Sequence, residues 1–382
     1  MPAWTGQNLG ETPDIWEEDM TTPKKTISRR SLLRTGAATG LAALMAPGLV
    51  GRARAQGQGH LRVIHASPAT LVLWSVTYLA EDMGFYADEG LTIERLPLNG
   101  GPVAMTALVA GEGDLQLATP GEALSAVSRG QDIRILESYT ATDAYSLCVG
   151  KAFAEAQGVT AASPLEARTA AAAALSGAKL GITAPGSATD LITRMALKQV
   201  GLNPDTDAEL VPMGSIVNVV SGLSNGAVDG GALLAPFTEQ TAHEFGVVPL
   251  LGVATGEIPE AARLQGQALH ARGQDIDARA EDFAAFVRAD LRALKMILDD
   301  PDAARDKLRA TRFAQIDEAV WPAVWAGQLA TFRTPRVTED GLRAWLETGS
   351  IGGNPDPATF PYEPMIHMAF VDQGLAKLGL TF

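Results

Sequence analysis

Past residue 60 the chain alternates short apolar runs with longer stretches whose apolar positions recur at helical spacing. Leu61 to His65 is the first such run and is expected to be a strand. Ser67-Pro68-Ala69-Thr70 then opens a helix carrying Trp74 and Tyr78. Gly84-Phe85-Tyr86 and Glu89-Gly90-Leu91 turn the chain into a second strand, Thr92 to Leu98. Ile133 to Tyr139 and Lys179 to Ile182 are further strands, and Asp190 to Val200 is a helix. Strands interleaved with helices in this way predict an α/β fold.

One stretch of this pattern occurs twice. Pro97 is followed by Gly111, Asp114 and Pro120, and Pro212 by Gly226, Asp229 and Pro236. The spacing from proline to glycine is fourteen in both copies, and from glycine to aspartate three. Each copy reads as strand, glycine loop, helix, tight Gly-x-x-Asp turn, second strand, and a proline opening another helix. Ala184-Pro185-Gly186-Ser187-Ala188-Thr189 matches the Ser67 to Thr70 loop and extends the repeat by one βα unit. Two such modules predict two similar lobes with a cleft between them.

Beyond Val247 the pattern changes. Ala280 to Leu298 is strongly periodic, with Phe283, Phe286, Val287, Leu291, Leu294 and Ile297 on one face. Pro301 to Arg309, Ile316 to Phe332, Glu339 to Glu347 and Pro364 to Leu378 are also expected to be helical, with Pro322 starting or kinking the second of these. The C-terminal third is therefore expected to be an added helical layer on the first lobe. The expected division is 1–55 for a prefix and export signal, 56–142 for the first part of lobe 1, 143–246 for lobe 2, and 247–382 for the rest of lobe 1. Hinges are expected near Thr140 to Asp143 and Gly246 to Val248.

The first 55 residues stand apart. Ser28-Arg29-Arg30-Ser31-Leu32-Leu33-Arg34 precedes a weakly apolar run, Thr35 to Val50, and then Ala53-Arg54-Ala55. This resembles a twin-arginine export signal with cleavage near Ala55, and it implies a periplasmic protein. The apolar run is too short and glycine-rich to span a bilayer comfortably. The acidic stretch Met1 to Ile27 ahead of it is unusual for such a signal and points to a start further in. These 55 residues carry seven basic and five acidic side chains, so the net charge of −14 becomes −16 for the remainder. That charge argues against nucleic acid or an anionic membrane surface as partner. The lone cysteine, Cys148, makes no intramolecular disulfide and lies in an apolar run that suits a buried residue.

The ordered motifs carry a family resemblance. Gly84-Phe85-Tyr86-Ala87-Asp88-Glu89-Gly90-Leu91, Asn99-Gly100-Gly101-Pro102, Ala110-Gly111-Glu112-Gly113-Asp114, Ala184-Pro185-Gly186-Ser187 and Ala235-Pro236-Phe237 together resemble the binding proteins of ABC importers for aliphatic sulfonates, taurine, nitrate and thiamine pyrimidine precursors. The resemblance implies a two-lobed periplasmic-binding-protein fold of type II. It also implies capture of a small anion or amphoteric solute, no cofactor, delivery to an ABC permease in the inner membrane, and a monomer. The match spans Leu61 to about Gln240; His65 stands where an aromatic is common, and the C-terminal third matches loosely.

In open α/β sheets ligands sit at the carboxyl ends of strands, where helix N-termini present free N–H groups. The candidate ligand-binding residues are those of the six small-residue loops expected there: Ser67, Thr70, Asn99, Gly100, Gly101, Thr119, Gly186, Ser187, Thr189, Ser215 and Pro236. Trp74 joins them as a stacking wall, or else belongs to the core. A hydroxyl before a helix serves equally as an N-cap, and a glycine as a shape requirement. No Lys or Arg occurs in these loops, which disfavours a phosphate dianion. Glu122, Asp143 and Asp190 either meet a ligand amine or are ordinary helix-start carboxylates. The histidines show no metal-ligand spacing, and neither a nucleophile elbow nor a phosphate loop occurs. A sensory protein with the same cleft, or an enzyme on the same fold, is the alternative.

Overall fold

The computed structural model describes residues 59–67, 71–98 and 100–382. The expected export signal and the candidate residues Thr70 and Asn99 lie outside them.

Among the described residues, ten strands form two five-stranded sheets of the same order. The first contains β1 (His60–His65), β2 (Thr92–Pro97), β3 (Leu115–Ala118), β4 (Ile133–Ser138) and β10 (Ala268–Arg272), arranged β2-β1-β3-β10-β4. The second contains β5 (Tyr145–Val149), β6 (Lys179–Ile182), β7 (Glu209–Pro212), β8 (Gly230–Leu234) and β9 (Val248–Gly252), arranged β7-β6-β8-β5-β9. In each sheet β1 or β6 pairs in parallel with both its neighbours. The fourth position is antiparallel in both, held by β10 in one sheet and β5 in the other. Those two strands are the first that the chain forms after each crossing between sheets.

The repeated sequence module is a repeated structural one. The helices Gly101–Ala110 and Ile216–Asn225 end on Gly111 and Gly226, whose φ angles of +81° and +76° are strained for any side chain. Three residues on, Asp114 and Asp229 reach back across the sheet. Asp114 Oδ2 accepts from the Arg62 amide at 2.8 Å, and Asp229 Oδ2 accepts from the Lys179 amide at 2.8 Å. Their own amides donate to the Arg62 and Lys179 carbonyls. The aspartates thus fasten each turn to the start of the neighbouring strand, as turn caps should.

Helix Ala280–Asp299 packs its predicted apolar face into the first lobe, with Phe283, Phe286, Val287, Leu291, Leu294 and Ile297 fully buried. Burying one such side chain contributes about 1.5–3 kcal/mol. Asp290 on the same helix is also buried, and it accepts from the Tyr86 hydroxyl at 2.5 Å and the Tyr139 hydroxyl at 2.7 Å. Helix Trp321–Leu329 begins one residue before Pro322 and carries it in its first turn, while Pro364 to Leu378 divides into Tyr362–Met365 and Ala369–Leu378.

The return crossing differs from expectation. β9 belongs to the second sheet, so the chain leaves that lobe after Gly252, not near Gly246 to Val248. It re-enters the first sheet as β10. The two crossings run side by side: the Tyr139 amide donates to the Gln267 carbonyl at 2.8 Å, and the Gln267 amide donates to Thr140 Oγ1 at 2.7 Å. Among the described residues no helix is long and apolar enough to cross a membrane.

Candidate functional site

The loops at the carboxyl ends of the parallel strands of both sheets converge on a cavity of about 540 Å³. That lies within the range that holds small organic ligands. Ser67, Trp74, Gly100, Gly101, Thr119 and Glu122 form its first-lobe wall. Thr183, Ser187, Thr189, Ser215, Ile216 and Leu234 form the second-lobe wall. Tyr145 and Gln267, from the two crossings, also line it.

On the second lobe the hydroxyls are organised by the start of helix Ala188–Gln199. Ser187 is its N-cap, and its Oγ accepts from the Asp190 amide at 3.3 Å and the Thr183 hydroxyl at 2.9 Å. Thr189 Oγ1 accepts from the Thr183 amide at 2.8 Å. The three hydroxyl oxygens lie within 3.0 Å of one another. Ser215 caps the equivalent helix of the second module, accepting from the Asn218 amide at 3.2 Å. Capping uses an oxygen lone pair and leaves the O–H proton for a ligand. The N-cap and ligand roles weighed as alternatives in the sequence are compatible in one side chain.

The first lobe has the opposite character. Thr119 precedes helix Pro120–Ser128, yet its hydroxyl donates to Glu122 Oε2 at 2.6 Å and does not cap. The Glu122 carboxyl lies against Gly101, where a Cβ would overlap it. Burial raises the pKa of Glu122, partly offset by the Thr119 hydrogen bond. Deeper in, Asp143 accepts from Thr140 Oγ1 at 3.1 Å and from Gln267 Nε2 at 2.9 Å. Burial pushes the Asp143 pKa up to about 6. Trp74 donates its indole N–H to Ser67 Oγ at 2.8 Å, so what it turns to the cavity is its apolar ring.

Eight of the twelve candidate residues therefore line the cavity: Ser67, Trp74, Gly100, Gly101, Thr119, Ser187, Thr189 and Ser215. Two do not. The Gly186 amide is held by Asp190 Oδ2 at 2.7 Å and is not turned to the cleft. Pro236 is the N-cap of the following helix, and Leu234, two residues earlier, forms the wall there. Asp190 also pairs with Arg194 at 2.7 Å, the structural role expected of a helix-start carboxylate. His65 ends its strand: Arg95 Nη1 lies 2.8 Å from its Nε2, and burial followed by the Arg95 charge holds its pKa well below the usual value.

Thr183, Tyr145 and Gln267 were absent from the candidate set, and Glu122 stood beside it as a carboxylate that either meets a ligand amine or starts a helix. Glu122 had a signal, since Thr-x-x-Glu at a helix start is the spacing of a capping box. Gln267 had none, because it depends on where the return crossing lies. Among the described residues no group of three or more His, Cys, Asp or Glu is placed to hold a metal. Cys148 is buried in β5 and is not part of the cavity wall; burial raises its thiol pKa.

The profile of the NMT1-like family matches residues 74–311, more than half of the chain. The chain belongs to the NMT1-like family. Several solved structures share its fold. A protein from Bordetella bronchiseptica RB50 is 22% identical with a TM-score of 0.68, over 84% of this chain and 98% of that one. The periplasmic nitrate-binding protein NrtA from Synechocystis PCC 6803 is 16% identical with a TM-score of 0.63, over 85% and 90%. The alkanesulfonate-binding protein SsuA from Xanthomonas axonopodis pv. citri, bound to MOPS, is 17% identical with a TM-score of 0.60, over 81% and 99%. No curated protein matches the chain. At these identities the likeness speaks to fold, and this NMT1-like chain has the two-lobed type II periplasmic-binding architecture that its motifs led us to expect.

Proposed function

We propose that the protein is the periplasmic solute-binding component of an ABC importer. It takes one small anion or amphoteric solute, of the sulfonate, taurine, nitrate or aminopyrimidine type, into the interlobe cleft and hands it to an inner-membrane permease. One observation carries this reading: the cavity is walled from both lobes by helix-start residues of a duplicated module. Helix N-termini favour acceptor groups and negative charge, which the second-lobe wall meets with Ser187, Thr189 and Ser215, while the first-lobe wall adds the Glu122 carboxyl, suited to a ligand amine. Contacts made from two sides at once favour a closed form over an open one, and the paired crossings at Thr140 and Gln267 are the hinge. NrtA and SsuA, similar in fold, are named for binding nitrate and alkanesulfonate. Export follows the twin-arginine route, and the protein works as a monomer. The buried position of Cys148 supports a binding protein over thiol catalysis.

Thermal unfolding against a panel of taurine, longer alkanesulfonates, nitrate, aromatic carboxylates and aminopyrimidines tests this reading. A solute at about a hundred times its Kd stabilises by about 2.7 kcal/mol, a shift of several degrees. A shift without chemical change of the solute is expected; turnover of the solute would contradict the proposal.

A further inference from the structure

The two lobes do not offer the same hydrogen-bonding groups to the cleft. Resting on the solute-binding reading, we propose that the ligand is an amphoteric solute with an apolar body, its N–H-donating head toward Glu122 and its acceptor end toward Thr183, Ser187 and Thr189.

The first pole follows from charge. No Lys or Arg is among the described residues lining the cavity, and Glu122 is its one carboxyl group. The donor of Thr119 is taken up by Glu122 Oε2. That of Trp74 is taken up by Ser67. What remains beside Glu122 is acceptor capacity, the carboxyl and the Thr119 lone pairs, while Ser67, further along the wall, accepts from Trp74 and keeps its own O–H. The carboxyl is part of the wall because residue 101 lacks a Cβ. A bare anion beside the ionised carboxyl gains nothing, since like charges repel.

The second pole follows from lone-pair saturation. Ser187 Oγ already accepts from the Asp190 amide and the Thr183 hydroxyl. Thr189 Oγ1 accepts from the Thr183 amide. Thr183 gives its O–H to Ser187, and Ser187 and Thr189 lie 2.9 Å apart, so one gives its proton to the other and one O–H of the three is left for a ligand. Ser187 and Thr189 stand at the start of a helix, where the dipole adds to the attraction for an acceptor. The same cavity is lined by the apolar side chains of Leu71, Trp74, Ile216 and Leu234. A cavity of about 540 Å³ is far larger than an inorganic oxyanion needs. The arrangement suits a molecule with two unlike ends and a hydrophobic middle.

Calorimetric titration with chemically matched probes tests the assignment. The probes are 4-(aminomethyl)benzoate and a series of ω-amino carboxylates of five to eight carbons, against 4-methylbenzoate, benzylamine and nitrate. We expect at least one two-ended probe to bind about tenfold or more tightly than every one-ended probe. Glu122→Gln, which keeps an acceptor for Thr119, should remove most of that preference while unfolding within a few degrees of wild type. Equal or tighter binding of 4-methylbenzoate or nitrate, or a preference unchanged in Glu122→Gln, overturns the amphoteric class and leaves solute binding standing. Binding of no probe also overturns it; a broad solute library then separates the two readings, because a hit there preserves solute binding and silence removes both.

Discussion

The carboxyl of Glu122 occupies the space in which a side chain on residue 101 would begin: a Cβ added to Gly101 overlaps its Oε1, Cδ and Cγ atoms. Two residues on different helices are thereby made interdependent. The glycine pair after β2 is a cleft feature because of what packs on it. Gly101→Ala should displace the carboxyl and weaken binding of the best panel solute by about tenfold, a loss of about 1.4 kcal/mol. Stability should hold, because alanine raises helix propensity by about 1 kcal/mol at a helical position. Titration and thermal unfolding of the variant check both halves, and unchanged affinity would contradict the assigned position of Glu122.

The two turn aspartates are equivalent in the repeat and unequal in energy. Asp114 is buried and, besides the Arg62 amide, meets the Arg62 and Arg279 guanidinium groups at 3.4 Å each. Asp229 is exposed and holds the Lys179 amide. Asp114→Ala should cost about 2 kcal/mol, since the Arg62 amide loses its acceptor and two partly buried guanidinium groups lose a shared carboxylate, Arg279 keeping Asp282 and Arg62 the Gly111 carbonyl. Asp229→Ala should cost about 1 kcal/mol. Urea denaturation of both variants measures the difference, and equal costs would contradict the account.

Asp143 makes the fold pH-dependent in a definite direction. Its folded pKa of about 6 is above the ordinary aspartate value, so the folded state holds the proton more tightly than the unfolded chain. This contribution favours folding at low pH and is lost as pH rises through about 6. Buried His65 and His270, both with lowered pKa, act oppositely, so the wild-type profile alone is ambiguous. The difference between Asp143→Asn and wild type isolates the term. The variant should gain on wild type by about 3 kcal/mol between pH 4 and pH 7.5. A difference independent of pH would contradict a buried carboxyl at this position.

Much of this was readable in the sequence, for a physical reason. The parallel strands and their helices follow one another locally, and each is bounded by a glycine or proline with its own conformational demand. Gly111, Gly226 and Pro120 therefore mark element ends in the sequence and in the structure alike. β10 escaped because Ala268–Arg272 is a central strand covered on both faces, so it lacks polar alternation, and it carries the buried His270. Missing β10 hid Gln267 and misplaced the second hinge. The hydroxyls were legible individually; their mutual contact at Thr183 was not, because it depends on how one helix start folds back on its strand.

Cys148 supplies a test of the non-catalytic reading. Its thiol is buried in β5 and lies 3.5 Å from the Ser146 carbonyl. Ellman's reagent should find no reactive thiol in the folded protein and one per chain after denaturation. Rapid reaction in the folded state would contradict the burial and reopen thiol chemistry.

The most direct test of the central claim, that the interlobe cavity is the solute site, is to fill it. Ser187 is half-buried on the cavity wall, so Ser187→Trp places an indole in the space while losing one N-cap, at a cost of about 1 kcal/mol. Titrated with the solute that gives the largest thermal shift, this variant should unfold cooperatively and show no measurable binding. Binding at wild-type affinity would contradict the claim and place the solute elsewhere.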